Sequence, residues 1–221
     1  MDGWADGAAV LLLAGLLAVH PPALLSAQTV TVGSQVLLGD YREVSSALRY
    51  RGGGFGAAAT LAYKKASLEV AYVRLSYDPS ENGSGLESFH ARQFDARVRY
   101  YLTGAVSTEV GVTSRSVDPG FAAQSVGAAR AGVRISNAIG SGVRLNLRGN
   151  YLLRARFSGG GSAPVGLEIA FGAMGEFARG HVRLTTDYEF QYFNRKTDDG
   201  SGEVSVPIQQ ALVRLGVAVG F

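Results

Sequence analysis

From Val213 to Phe221 the chain alternates without a break: Val213, Leu215, Val217, Val219 and Phe221 fall on one side of a two-residue period, and Arg214, Gly216, Ala218 and Gly220 on the other. A period of two belongs to a strand, whose successive side chains point to opposite faces. The apolar face runs out to Phe221 with nothing polar behind it. A soluble protein normally avoids such a strand, because a one-sidedly apolar edge invites pairing with other chains. The pattern therefore constrains the solvent around the strand as well as its conformation.

The opposite end carries an unbroken apolar run from Ala8 to Val19, then His20-Pro21-Pro22, then a small-residue cleavage pattern ending at Ala27. This predicts a secretory signal peptide over residues 1–27. The run is too short for a membrane anchor, which needs about 20 apolar residues. Its leading segment departs from the usual pattern, with Asp2 and Asp6 and no base before Arg42. Residues 28–221 are then read as one domain. The formal charge is +3, but the bases are spread singly along the chain, so no nucleic-acid partner is expected. With no Cys there is neither a disulfide framework nor a thiolate metal site, and the chain suits passage through an oxidising periplasm.

From Thr29 onward the periodicity predicts an all-β chain of about ten strands, each long enough to cross a bilayer when tilted, with eight as the alternative. The first is read as Thr29 to Val44, weakened by Gly39-Asp40. The connections alternate in kind. One set is tight: Lys64-Lys65, Thr103-Gly104, Ile139 to Gly142 and Arg179-Gly180. The other is longer and more polar: Asp78 to Phe89, Asp118 to Ser125, Ser158 to Pro164 and Thr197 to Glu203. No segment after residue 27 reads as an amphipathic helix.

Short turns on one side, longer loops on the other, and a closing aromatic preceded by apolar residues at every second position resemble the bacterial outer-membrane β-barrels and their C-terminal assembly signal, here at Phe221. The resemblance implies an antiparallel up-and-down transmembrane barrel in the bacterial outer membrane, with periplasmic termini and extracellular loops. Its implied partners are outer-membrane lipid and, through the C-terminal strand, the assembly machinery, with the barrel itself a monomer.

Alternation alone does not separate a membrane barrel from a soluble one such as a lipocalin, but the kind of polar residue does. Of the 21 basic residues only Lys64, Lys65 and Lys196 are lysines, and all three fall in or beside a connection. An enclosed polar lumen favours Arg, whose planar fork pairs with carboxylates away from bulk water. In the seventh strand Val143, Leu145, Leu147, Tyr151 and Leu153 alternate with Arg144, Asn146, Arg148, Asn150 and Arg154. On the apolar face Tyr63, Tyr100, Phe177 and Phe221 lie at the turn end, and Phe55, Phe94, Tyr151 and Tyr192 nearer the loops, as two aromatic girdles would.

Strand parity places one set of charges inside: Arg97, Arg99, Arg130, Arg134, Arg144, Arg148, Arg183 and Arg214, with Glu69, Asp95, Glu109, Glu168, Glu176, Asp187 and Glu189. A barrel of eight to ten strands is narrow and filled by side chains, so this set is expected to form a salt-bridged plug in place of an apolar core. The functional alternative is a narrow passive channel for small solutes or ions with a weak anion bias.

Other classes find less support. Residues 28–221 contain two histidines, and of these His90 is the candidate for a rim enzyme, a lipid-modifying hydrolase or protease, with Asp78, Glu87 and Ser88 nearby in sequence. The outer-membrane deacylase pattern places Ser two residues after its His, where this chain has Arg92, so no catalytic residue is assigned. A surface-binding or adhesion barrel would use its loops, the longest being Asp78 to Phe89. The glycine runs Gly52 to Gly54 and Gly159 to Gly161 precede no helix and no Lys, which argues against phosphate loops and for strand bends and loop tips. No cofactor and no metal site are expected.

Overall fold

The computed structural model describes residues 28–46, 48–80, 87–140, 142–178, 181–198, 200 and 202–221. The expected signal peptide, the Arg179-Gly180 turn and the middle of the Asp78–Phe89 loop lie outside the described residues. Ten strands follow in order: β1 (Gln28–Glu43), β2 (Leu48–Tyr63), β3 (Ala66–Pro79), β4 (Phe89–Tyr101), β5 (Val106–Val117), β6 (Val126–Ile139), β7 (Val143–Phe157), β8 (Ser162–Phe177), β9 (Val182–Asp198) and β10 (Glu203–Gly220). They close into an all-antiparallel barrel in which every sequential pair is adjacent and β10 pairs with β1. Closure satisfies every strand edge, the condition for β-structure in lipid.

Phe221 completes that closure. Its backbone N–H donates to Val30 O at 2.9 Å, and Val30 N–H donates to Phe221 O at 3.3 Å. Glycines let the wall curve. At Gly52 and Gly54 of β2 a Cβ would stand 1.8 Å from the carbonyl oxygens of Ser76 and Arg74, so no larger residue fits the approach of β2 to β3. Gly39, which weakened the reading of β1, lies inside it; a Cβ there would come within 2.7 Å of Tyr77 Oη, so the glycine makes room for that ring.

The outer wall is apolar. Val36, Leu38, Phe55, Tyr100, Val110, Leu147, Tyr151, Phe171, Leu215 and Phe221 are all exposed on it. An exterior of this kind matches a hydrocarbon surround, with polar residues turned inward, the reverse of a soluble barrel. Strands of 12 to 18 residues exceed the roughly 9–11 needed to cross, so their ends stand clear of the hydrocarbon.

Two irregularities turn strands over. In β7, Arg154 has φ +52° and the register with β6 shifts between Gly127 and Ala129. Leu152 and Ala155 consequently both face inward, and Arg154, which the alternation put on the polar side of the seventh strand, is exposed. A bulge adds one residue and so inverts the parity beyond it. A second shift, between Ser162 and Gly166, does the same in β8. The Asp118–Ser125 connection, read as a loop, holds a short 3-10 helical segment, Pro119–Gln124, kinked at Phe121.

Candidate functional site

The lumen divides into three levels. At mid-height the charges form one connected network. Glu189 of β9 accepts hydrogen bonds from Arg97 of β4 (3.3 Å), Arg148 of β7 (2.5 Å) and Arg214 of β10 (2.8 Å). Glu168 of β8 accepts from Asn150 (2.9 Å) and Gln191 (3.2 Å) and pairs with Arg148 (2.9 Å), Arg130 (3.0 Å) and Arg97 (3.9 Å). Glu109 of β5 meets Arg134 at 3.3 Å and accepts from Asn150 at 2.7 Å. Asp95 pairs with Arg130 and accepts from Gln93 at 2.9 Å. Glu69 joins Arg97 (3.3 Å), Arg99 (3.0 Å) and Arg134 (3.8 Å).

The side chains of Glu109, Glu168 and Glu189 are fully buried. A buried carboxylate is tolerable only where opposite charge and hydrogen bonds replace lost water, and each of these acids meets at least two guanidinium groups. Gly132 matters here, because a Cβ on it would strike Asn150 Oδ1 at 2.1 Å, and Asn150 is the amide that links Glu109 to Glu168.

Toward the turn end the lumen opens into a cavity of about 390 Å³, lined by Thr29, Thr31, Ser136, Arg144, Glu176 and Arg183 near its mouth. Arg183 pairs with Glu176 at 3.2 Å and donates to Thr31 Oγ1 at 3.0 Å. Asp187 also lines this cavity.

Toward the loop end the lumen is filled mainly by apolar side chains, which corrects the expectation of a charge plug in place of an apolar core. Leu37, Tyr41, Tyr50, Val73, Leu75, Tyr77, Phe89, Leu152, Phe157, Phe193, Ile208 and Leu212 form a buried hydrophobic cluster. Tyr77 stacks on Phe89 at 5.0 Å, and Tyr50 meets Phe89 edge-on at 5.0 Å. The 3-10 helix covers the mouth: Phe121 packs 4.8 Å from Phe89, and Gln124 accepts from Tyr41 Oη at 2.5 Å. On the other side Arg195 donates to Gly160 O at 2.8 Å, drawing the β7–β8 connection over the lumen.

Parity counted from Glu69 already put Val73, Leu75 and Tyr77 inside β3, and parity from Asp95 put Phe89 and Ala91 inside β4, so this core had a signal. Arg115 and Arg195 carried the same signal on β5 and β9. Arg115 is buried, lies 5.1 Å over the Tyr41 ring and bonds to Gln210.

His90 lies on the outer face, exposed. Its Nδ1 is 3.0 Å from Ser76 Oγ, and its backbone N–H donates to Asp118 Oδ2 at 2.8 Å. Ser88, the neighbour suggested by sequence, instead donates to Asp78 at 2.6 Å. Ser76 carried no sequence signal, because its approach to His90 depends on the β3–β4 register. Among the described residues no group of three or more His, Asp or Glu side chains is arranged to hold a metal ion.

No family model matches the chain, and no curated protein matches it. Solved structures do. The outer membrane protease OmpT from Escherichia coli aligns over 91% of this chain and 99% of its own, with a TM-score of 0.50 at 9% identity. Neisserial surface protein A aligns over 87% and 97%, with a TM-score of 0.44 at 15% identity. The attachment invasion locus protein of Yersinia pestis aligns over 89% and 100%, with a TM-score of 0.41 at 11% identity. With the apolar outer wall and the closed ten-stranded topology, the likeness to the first establishes the fold: an up-and-down antiparallel β-barrel of the outer-membrane type.

Proposed function

We propose that the protein is a monomeric outer-membrane barrel with a closed lumen, whose working surfaces are its loop end and lipid-facing wall, not a conducting path. The observation that carries this is the filling of the lumen at two successive levels, the Glu189–Glu168 ion network and the Tyr77–Phe89 apolar core above it. An ion entering from the turn end reaches charges that are already paired, then a closely packed, mainly apolar layer that replaces little of its hydration shell.

The role is structural and non-enzymatic, with the loops extracellular and the turn-end cavity periplasmic. The apolar core and the ion network together hold the strands in register from within, while lipid covers the outside. Planar-bilayer recording of the refolded protein tests the reading. A quiet membrane is expected at applied potentials that open known porins, and reproducible single-channel steps would overturn it.

A further inference from the structure

The outer wall changes character abruptly on three neighbouring strands. Counted from the turn end, β4 presents Tyr100, Val98, Ala96 and Phe94 outward, and then Arg92 and His90. β3 presents Leu68, Val70 and Tyr72, then Arg74 and Ser76, and β5 presents Val110 and Val112, then Ser114 and Ser116. The register aligns these changes: Tyr72 pairs with Phe94, Arg74 with Arg92, and Arg92 with Ser116. An aromatic row is thus followed, one outward position further on, by a row holding two exposed arginines and a serine. The next row holds the Ser76–His90 pair.

Arg74 leans over the Tyr72 ring, its guanidinium 5.9 Å from the centroid and donating to Tyr72 Oη at 3.4 Å. Arg74 and Arg92 each also interact elsewhere within the chain. On β2 the facing residues are Phe55, which is 65% exposed, and Gly53, which carries no side chain and leaves the wall beside Ser76 low.

Lipid acyl chains end, and lipid phosphates begin, at the level where an aromatic girdle gives way to polar residues. Two arginines at directly opposed positions on that boundary bring positive charge to where such phosphates stand, and a guanidinium is a planar fork able to bind a phosphate bidentately. We propose that Arg74 and Arg92 hold a phosphate of a phosphorylated glycolipid in the outer leaflet. Ser116, Ser76 and His90 supply further hydrogen bonds, and the acyl chains lie along Phe55, Tyr72 and Phe94. The assignment to the outer leaflet rests on the orientation proposed above.

The test is binding of bisphosphorylated lipid A to the folded protein in detergent micelles, read by native mass spectrometry. Replacing both arginines, Arg74→Gln with Arg92→Gln, is expected to weaken binding about thirtyfold, from two basic groups at a phosphate surface. Arg156→Gln, an exposed arginine on β7, is expected to leave it unchanged. Lipid A stripped of its phosphates is expected to bind the natural protein as weakly as intact lipid A binds the double variant. Equal binding by the double variant and the natural protein would overturn the proposal. So would equal binding of the two lipids by the natural protein, a comparison that stands even if the double variant fails to fold. Phosphate-dependent binding in micelles, together with labelling that places the loop end in the periplasm, would overturn the outer-leaflet assignment alone.

Discussion

Glu189 on β9 and Arg97 on β4 stand on opposite walls of the barrel, five strands apart in either direction round the ring, and meet at 3.3 Å across its axis. The lumen is therefore bridged from wall to wall, with Arg148 and Arg214 converging on the same carboxylate. Glu189→Gln leaves three guanidinium groups short of a shared counter-charge. We expect it to lower the unfolding free energy by about 3–5 kcal/mol. The Lys196–Glu203 pair is closer than the Arg97 contact, at 2.7 Å, but its side chains are 46% and 66% exposed. Glu203→Gln should change stability by less than about 1 kcal/mol. Denaturant titration in micelles, followed by the folded band on an unheated gel, measures both.

The Gly54 position is set by the approach of two backbones. Gly54→Val brings a Cβ, and branches beyond it, against Arg74 O, where even the Cβ stands at 1.8 Å. No side chain can yield there, so the variant should fail to give the compact, heat-modifiable band of a folded barrel. Gly104→Val, at a turn where nothing lies within 4 Å, should give that band normally.

The His90 side chain meets Ser76 Oγ on an exposed outer face. His90→Ala should leave the cell's lipid A profile by mass spectrometry unchanged and shift stability by no more than about 0.5 kcal/mol. A lipid A species that vanishes in the variant would assign the Ser76–His90 pair a catalytic role.

Much of this was legible from parity. Arg97, Arg130, Arg134, Arg148, Glu109, Glu168 and Glu189 fall on one side of a two-residue period, and the structure places them in one connected network. Which of them meet could not be read, because Arg97 finds Glu189 through the closure and stagger of the whole barrel, a property of no single strand. Bulges were invisible for a related reason: Arg154 takes a positive φ that the sequence does not announce, and everything beyond it in β7 changes face. The loop-end core was legible and missed. Tyr41 and Tyr77 were given no role and Phe89 was counted in the Asp78–Phe89 loop, when the same parity that put Glu69 and Asp95 inside put Tyr77 and Phe89 inside with them.

Because the chain has no Cys, a single introduced cysteine reports one place on the molecule. Ser158→Cys, at the exposed β7–β8 connection, and Ser136→Cys, in the wall of the turn-end cavity, mark the two ends of the lumen. Cells carrying each variant would be treated with a small membrane-impermeant maleimide before and after the outer membrane is opened. A closed lumen with its loops outside requires Ser158→Cys to label in intact cells and Ser136→Cys to label only after opening. Labelling of Ser136→Cys in intact cells, with Ser158→Cys labelled alongside it, would mean that the aromatic core and ion network leave a path through the barrel, and would contradict the account.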